Sequence, residues 1–377
     1  MKKLGLYIHI PFCESKCHYC DFYSITKSTS DIKENYIKSL IKELELNKER
    51  LDEYKFDTIF IGGGTPSTVD ANFYENVLNY LRNNNLISNN AEVTMEVNPK
   101  KRGYDYLNKI KEIGVNRLSV GIQTFDNDIL KVIGRNHNRK EGQDFLSKVN
   151  KVGFQNISCD LIFNLPLQKY EHIEKDIDIL EEYNLKHISL YSLKVNTNTI
   201  MNDIVKEDKY KLMDEDEERE TYYRAREYLE KNGYMQYEIS NFSKVGYESQ
   251  HNLKYWNRMQ YLGIGTSAHS FINNKRYSNV SNVNQYINKI MSNESTVNFE
   301  EYIDNEEAIW EYLFLGLRKI KGINIKEFEK TFNISFSMYN DKVGKLIEDK
   351  LLEIKNNRLR LTRKGIDLSN HVFVELK

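Results

Sequence analysis

Three of the four cysteines fall within eight residues, Cys13, Cys17 and Cys20, in the pattern C-x3-C-x2-C. The chain begins Met1-Lys2-Lys3-Leu4-Gly5-Leu6-Tyr7 and passes directly into a strand-like run, without a secretory leader, so a cytoplasmic protein is expected. Cysteines kept reduced there read as metal ligands or reactive groups rather than as disulfides. Three clustered thiolates suit a [4Fe–4S] cluster, which they leave with one iron lacking a protein ligand and open to a small molecule. A closed zinc site needs a fourth ligand. No second cysteine pair follows, although His18 or Asp21 could complete a tetrahedron. Cys159 lies inside a predicted strand and reads as a small core residue.

The elements that must position this cluster are legible as alternation. Apolar, β-branched runs at 4–10, 56–62, 91–98, 117–124, 155–164 and 187–194 are separated by stretches of helical periodicity at 31–51, 71–81, 104–113, 140–152 and 173–183. Six β/α units in series predict an α/β fold, a parallel sheet curved into a partial (β/α)6 barrel over residues 1–200. The chain contains four prolines, Pro11, Pro66, Pro99 and Pro166, and each stands just past the end of a predicted strand. Proline there can simply punctuate a strand. In α/β barrels, however, the loops after the strands form the active face, and the cysteines follow the first of these prolines at once.

At 377 residues the chain exceeds the size at which one core stops growing, ~250–300 residues, so further units are expected. Residues 201–299 read as an α+β connector whose charge-dense part, 205–224, is a solvated face. Residues 300–377 read as three helices followed by a strand pair, the order of a winged helix, with 14 Lys+Arg against 14 Asp+Glu. That balance, and a net charge of -1 for the whole chain, predict a packing or partner module and no nucleic-acid binding. The longest charge-free run, 259–274, is 16 residues and contains Gly, Asn, Ser and His, short of the ~18 apolar residues that suggest a membrane span.

Taken together, Tyr7-Ile8-His9-Ile10-Pro11-Phe12-Cys13, Cys17-His18-Tyr19-Cys20-Asp21-Phe22 and Gly62-Gly63-Gly64-Thr65-Pro66-Ser67 resemble the radical S-adenosylmethionine (SAM) proteins. More narrowly they resemble the branch holding the oxygen-independent coproporphyrinogen III oxidases and the HemW heme chaperones. The resemblance implies that Cys13, Cys17 and Cys20 hold a [4Fe–4S] cluster whose open iron is chelated by SAM. It carries SAM contacts onto Tyr7, Gly63, Gly64, Thr65, Glu96, Gln123, Arg135 and Asp160. The physical demands agree: glycines let a backbone approach a ligand closely, and a cationic sulfonium with ribose hydroxyls wants carboxylates and amides at strand ends.

Two departures separate the branches. The oxidases carry a further cysteine two positions after the third cluster cysteine, where Phe22 stands here, and an N-terminal extension, whereas 12 residues precede Cys13. The segment His251-Asn252-Leu253-Lys254-Tyr255-Trp256 matches the H-N-x-x-Y-W motif of HemW, in which the histidine is associated with heme. Neutral imidazole is a good heme-iron ligand and aromatic faces suit a porphyrin, although a lone histidine also packs well at a domain junction. The resemblance thus implies a chaperone without oxidase activity, with heme, heme-acceptor proteins and an electron donor as partners, cytoplasmic and peripheral at a membrane surface. Coproporphyrinogen III oxidase is the alternative.

Overall fold

Period-two burial decides how the first strand sits. On β1 (Lys2–Ile10) the side chains of Leu4, Leu6, Ile8 and Ile10 are at most 1 % exposed beneath the helices, while Tyr7 and His9 point to the opposite face. Each such buried aliphatic side chain contributes about 1.5–3 kcal/mol, so a one-residue slip in register is strongly disfavoured. The sheet continues through β2 (Tyr54–Gly63), β3 (Ile87–Val97), β4 (Arg117–Gln123), β5 (Asn156–Phe163) and β6 (His187–Ser192), with β4 buried on both faces and β6 exposed at its last two residues. These six strands pair in parallel and in chain order. The computed structural model describes residues 1–99 and 102–377.

The residues after β6 extend both edges of this sheet. On one side stand β7 (Met235–Glu238) and β8 (Asn241–Ser243), with β8 antiparallel to β6. On the other, β9 (Tyr261–Ile264) runs parallel to β1 and is followed outward by antiparallel β10 (His269–Ile272), β11 (Lys275–Asn279) and β12 (Val297–Tyr302). The C-terminal segment builds a separate core on Leu313, Phe328, Val343, Leu346 and Leu359. Helices Asn305–Leu317, Ile325–Phe332 and Asn340–Glu348 surround a small sheet of β13 (Ile323–Asn324), β14 (Leu352–Lys355) and β15 (Arg358–Leu361), the winged-helix order. Among the described residues no helix is long and apolar enough to cross a membrane.

One helix locks the site end of β1 to β9. Helix Ser30–Leu46, capped by the Thr29 hydroxyl, presents Tyr36 and Glu43 on its buried face. The Tyr36 hydroxyl donates to the His9 carbonyl at 2.8 Å and accepts the Thr266 N–H at 2.9 Å. Glu43 accepts the Gly265 N–H at 2.9 Å, the Asn279 amide at 2.7 Å and the Tyr286 hydroxyl. Burial pushes the Glu43 carboxyl from its ordinary 4.5 up to about 7, against the pull of these three donors. From pH 4.5 to 7 the unfolded chain therefore releases a proton that the folded protein keeps, and stability falls as pH rises. The Glu43 share of that fall is on the order of 3 kcal/mol. Buried histidines act in the opposite sense over part of this range, so the check is the difference: from pH 5 to 7.5 the melting temperature of Glu43→Gln is expected to fall less, or rise more, than that of the unaltered protein, and an unchanged slope in the variant contradicts this assignment.

Candidate functional site

The cysteine loop is closed at its base by the backbone. Ile25 N–H donates to the Pro11 carbonyl at 2.7 Å and Cys13 N–H to the Ile25 carbonyl at 3.0 Å, so residues 12–25 leave and return at the end of β1. Its far side is also held. His18 bonds Ile133 O through its N–H at 3.0 Å and Val132 O through ring Nδ1 at 2.8 Å, and Met201 N–H donates to His18 O at 2.8 Å. Asp21 accepts from Asn196 Nδ2 at 2.7 Å. His18 and Asp21 thus serve as loop anchors.

Facing this loop, β2 ends in Gly62-Gly63-Gly64. The parallel pairing of β1 and β2 continues past the strands: Gly64 N–H donates to Ile10 O and Thr65 N–H to Phe12 O, both at 2.8 Å. A Cβ on Gly64 would lie 2.9 Å from Phe12 O and 3.0 Å from Cys13 Sγ. Gly63, at φ +112°, would place a Cβ 2.6 Å from the His9 ring. Only glycine fits either position.

Cys13, Cys17 and Cys20 are free thiols on one cavity of about 400 Å³, walled otherwise by strand ends. Gly63 ends β2 and Gly64 and Thr65 follow it, Glu96 comes from β3, Gln123 from β4 and Asp160 from β5, and Arg135 closes one side. Among the described residues no three His, Cys, Asp or Glu side chains stand at metal-ligand spacing; the thiols line the wall as separate groups. Burial raises the Cys20 thiol, and the neighbouring Cys17 and Cys13 add to the shift. Soft donors gathered beside a glycine cradle fit a three-cysteine iron–sulfur cluster.

Two carboxyls, Glu96 and Asp160, line the cavity where a cation would sit. Glu96 accepts the Gly63 N–H at 3.1 Å, and burial, then the charge of Asp160, lifts its carboxyl to about 8. Burial also raises Asp160, opposed by hydrogen bonds from Ser189 and from Ser119, whose Oγ lies 3.3 Å away. Two carboxyls held this way gain from an incoming positive charge and from hydroxyl donors. Gln123 adopts φ +71° at the register break between β4 and β5, a strained conformation for a side chain with a Cβ.

Two expected residues lie off this cavity. Tyr7 is below its floor, its hydroxyl 3.0 Å from His9 Nδ1, so it reaches Gly63 only through the His9 ring. His251 is 1 % exposed on helix Gln250–Trp256. Its Nδ1 lies 2.8 Å from Thr58 Oγ1 in mid-β2 and its Nε2 2.9 Å from the Tyr255 hydroxyl, so both ring nitrogens are engaged. Burial, with Lys254 and Arg117 adding, lowers its pKa to about 3 and keeps the ring neutral. Conversely, Asn98, Ser119 and Tyr191 line the cavity and were missed, and Phe22, marked in the sequence only as a departure from the oxidases, lines it too. The signal was available for Asn98 and Ser119, reached by counting by two from Glu96 and Gln123, whereas Tyr191 is tied to Asp160 only through the β5–β6 register, which no local pattern records.

Comparison with known proteins supplies the decision. Residues 7–180 match the Radical SAM superfamily and residues 303–368 the HemN C-terminal domain. The heme chaperone HemW of Lactococcus lactis is 37% identical over 99% of this chain and 97% of its own length. The chain belongs to the HemW family of radical SAM proteins. The HemW of Bacillus subtilis is 36% identical, over 97% of each chain. The solved structure of Escherichia coli coproporphyrinogen III oxidase (HemN), a radical SAM enzyme, superposes with a TM-score of 0.86 at 20% identity, covering 100% of this chain and 90% of that one. That likeness establishes the shared fold. Membership of the radical SAM family implies a [4Fe–4S] cluster and SAM.

Two outcomes follow. Gly64→Ala is expected to retain its circular dichroism spectrum yet bind less than half the iron of the unaltered protein after anoxic reconstitution; full iron content contradicts the cradle. The affinity of reconstituted protein for SAM, measured by calorimetry, is expected to rise from pH 6.5 to 8 and then level. A cation favours ionised Glu96, so binding below pH 8 must displace a proton; Glu96→Gln is expected to flatten the profile.

Proposed function

We propose that the protein is a heme chaperone that holds a [4Fe–4S] cluster on Cys13, Cys17 and Cys20, takes SAM in the adjoining cavity, binds heme and passes it to acceptor proteins. The relatives from Lactococcus lactis and Bacillus subtilis, both named heme chaperone HemW, support the reading over nearly the whole chain. The observation that carries it is Phe22. It stands on the cavity rim, 65% exposed, where the resembling oxidases carry a further cysteine. Gly63, Gly64, Thr65, Glu96, Gln123, Arg135 and Asp160 are the proposed SAM contacts, with Tyr7 acting through His9. When bound, the cluster supplies an electron to the sulfonium of SAM, and the protein contributes position and electrostatics. The protein works in the cytoplasm and meets an electron donor and heme acceptors, the latter at the membrane surface.

His251 is the proposed heme ligand, and its burial sets a condition. Heme iron reaches Nε2 only after the Tyr255 side chain, on the same helix, turns its hydroxyl away, and the buried ring is exposed only when helix Gln250–Trp256 lifts from Thr58 on β2. That helix is held by Glu92, which accepts the N–H groups of Gln250 and His251 at 3.1 and 3.0 Å, and by the buried Lys254–Asp57 ion pair at 2.6 Å. Opening then precedes ligation. In stopped-flow mixing, the rate of heme binding is expected to plateau as heme concentration rises, and Thr58→Val to raise the plateau. His251→Ala is expected to weaken heme affinity at least tenfold and change the Soret spectrum; unchanged affinity and spectrum contradict His251 as the ligand. Incubation with coproporphyrinogen III, SAM and a reductant is expected to give no protoporphyrinogen. Robust formation of it overturns the chaperone reading in favour of an oxidase.

A further inference from the structure

We propose that Asn98 is a positioning residue that holds two hydrogen-bond donors against the sulfurs of Cys13 and Cys17 and thereby sets the reduction potential of the cluster. The inference rests on these thiols holding the cluster. Asn98 directly follows β3, and its backbone N–H donates to Ser67 Oγ at 3.2 Å, which fixes where the side chain starts. The amide then bridges two groups that each touch a sulfur. Its Nδ2 donates to Thr65 Oγ1 at 3.2 Å, and its Oδ1 accepts from Arg135 Nη2 at 3.0 Å. Thr65 Oγ1 lies 3.5 Å from Cys13 Sγ, and Arg135 Nη1 lies 3.5 Å from Cys17 Sγ.

The direction of each bond follows from the donors present. An arginine only donates, so Asn98 must turn its oxygen to Arg135 and its NH2 to Thr65. With its oxygen accepting from the amide, the Thr65 hydroxyl has its own proton left for Cys13. Arg135 Nη2 also donates to the Gly121 carbonyl, so two acceptors fix the guanidinium and leave Nη1 for Cys17. A leucine here would supply neither group, and an aspartate only acceptors. Asn98 thus orients both donors without touching a sulfur itself.

Hydrogen bonds to the sulfurs tune the potential of an iron–sulfur cluster. Reduction adds one electron, supplied by dithionite in a titration, and no bond forms or breaks. The added negative charge strengthens N–H and O–H bonds to sulfur, so donors favour the reduced form. Loosening them lowers the potential.

The test uses full-length, anoxically reconstituted protein carrying Asn98→Ala, Arg135→Lys, or both, with iron content and potentiometric titration followed by electron paramagnetic resonance. Asn98→Ala is expected to keep its iron and disfavour reduction about tenfold, a shift of about 59 mV for one electron. The double variant is expected to shift by less than the sum of the single ones, because Asn98 acts partly through Arg135. A fully loaded Asn98→Ala with an unmoved potential overturns the proposal. If that variant loses its iron, Thr65→Val, which removes the donor to Cys13, and Arg135→Lys, which keeps the charge and gives up the planar fork spanning Cys17, Asn98 and Gly121, carry the comparison, and unmoved potentials in both overturn it. Unaltered protein that takes up no cluster overturns this proposal together with the cluster assignment, a result distinct from a loaded protein with an insensitive potential.

Discussion

Backbone pairing that outlasts its strands is the constraint on which the site depends. The bonds from Gly64 N–H to Ile10 O and from Thr65 N–H to Phe12 O carry the β1–β2 ladder beyond both strands, so the cysteine loop is seated on the glycine turn rather than merely near it. Such an approach is open only to residues without a Cβ. Because Cys13 directly follows Phe12 in that ladder, its sulfur inherits a position set by main-chain hydrogen bonds, among the most geometrically demanding contacts a protein has. The pins at His18 and Asp21 then orient the rest of the loop. Cys17 and Cys20 therefore face the same cavity as the strand ends.

Electrostatics follows from the same geometry. Carrying the strand ends deep into the sheet places Glu96 and Asp160 in a poorly solvated space, where burial outweighs the hydrogen bonds they receive and raises both carboxyls. This costs stability in the free protein and is recovered when a cationic ligand arrives. The middle of the sheet is arranged differently. There His251 is held neutral with both nitrogens bonded, and the ring of Trp256 lies under the Arg318 guanidinium at 4.7 Å. One region is an open pocket lined by carboxyls that burial keeps from ionising readily, whereas the other is closed and satisfied. A ligand can enter the first with the fold unchanged, but His251 must first give up its present partners.

Much of this was readable from residue order. The strand read at 117–124 is Arg117–Gln123, and the winged-helix order of the last 78 residues matches the helices and strand pair found there. Strong periodicity over long runs made these elements plain. Helices Asn127–Val132 and Ile200–Lys206 were not seen, because six or seven residues are too few to show a period, yet they abut the residues that pin the cysteine loop. The span read as one helix at 31–51 breaks at Asn47, which caps Ser30–Leu46 and starts Lys48–Leu51. The flanking of the sheet by β7 to β12 depends on pairings between residues far apart in the chain, which no local pattern records. For the site, spacing and glycines marked the cavity wall. The burial of His251 was invisible, because it is decided by Thr58 and Glu92 on distant strands.

Mössbauer spectroscopy of protein reconstituted anoxically with 57Fe, recorded with and without SAM, addresses the central claim most directly. The account predicts about four irons per chain, one of which alone changes its isomer shift when SAM is added, as expected when three cysteines leave one corner of the cluster open. Four irons that stay equivalent with SAM present, or a chain that takes up zinc and no iron, would contradict it.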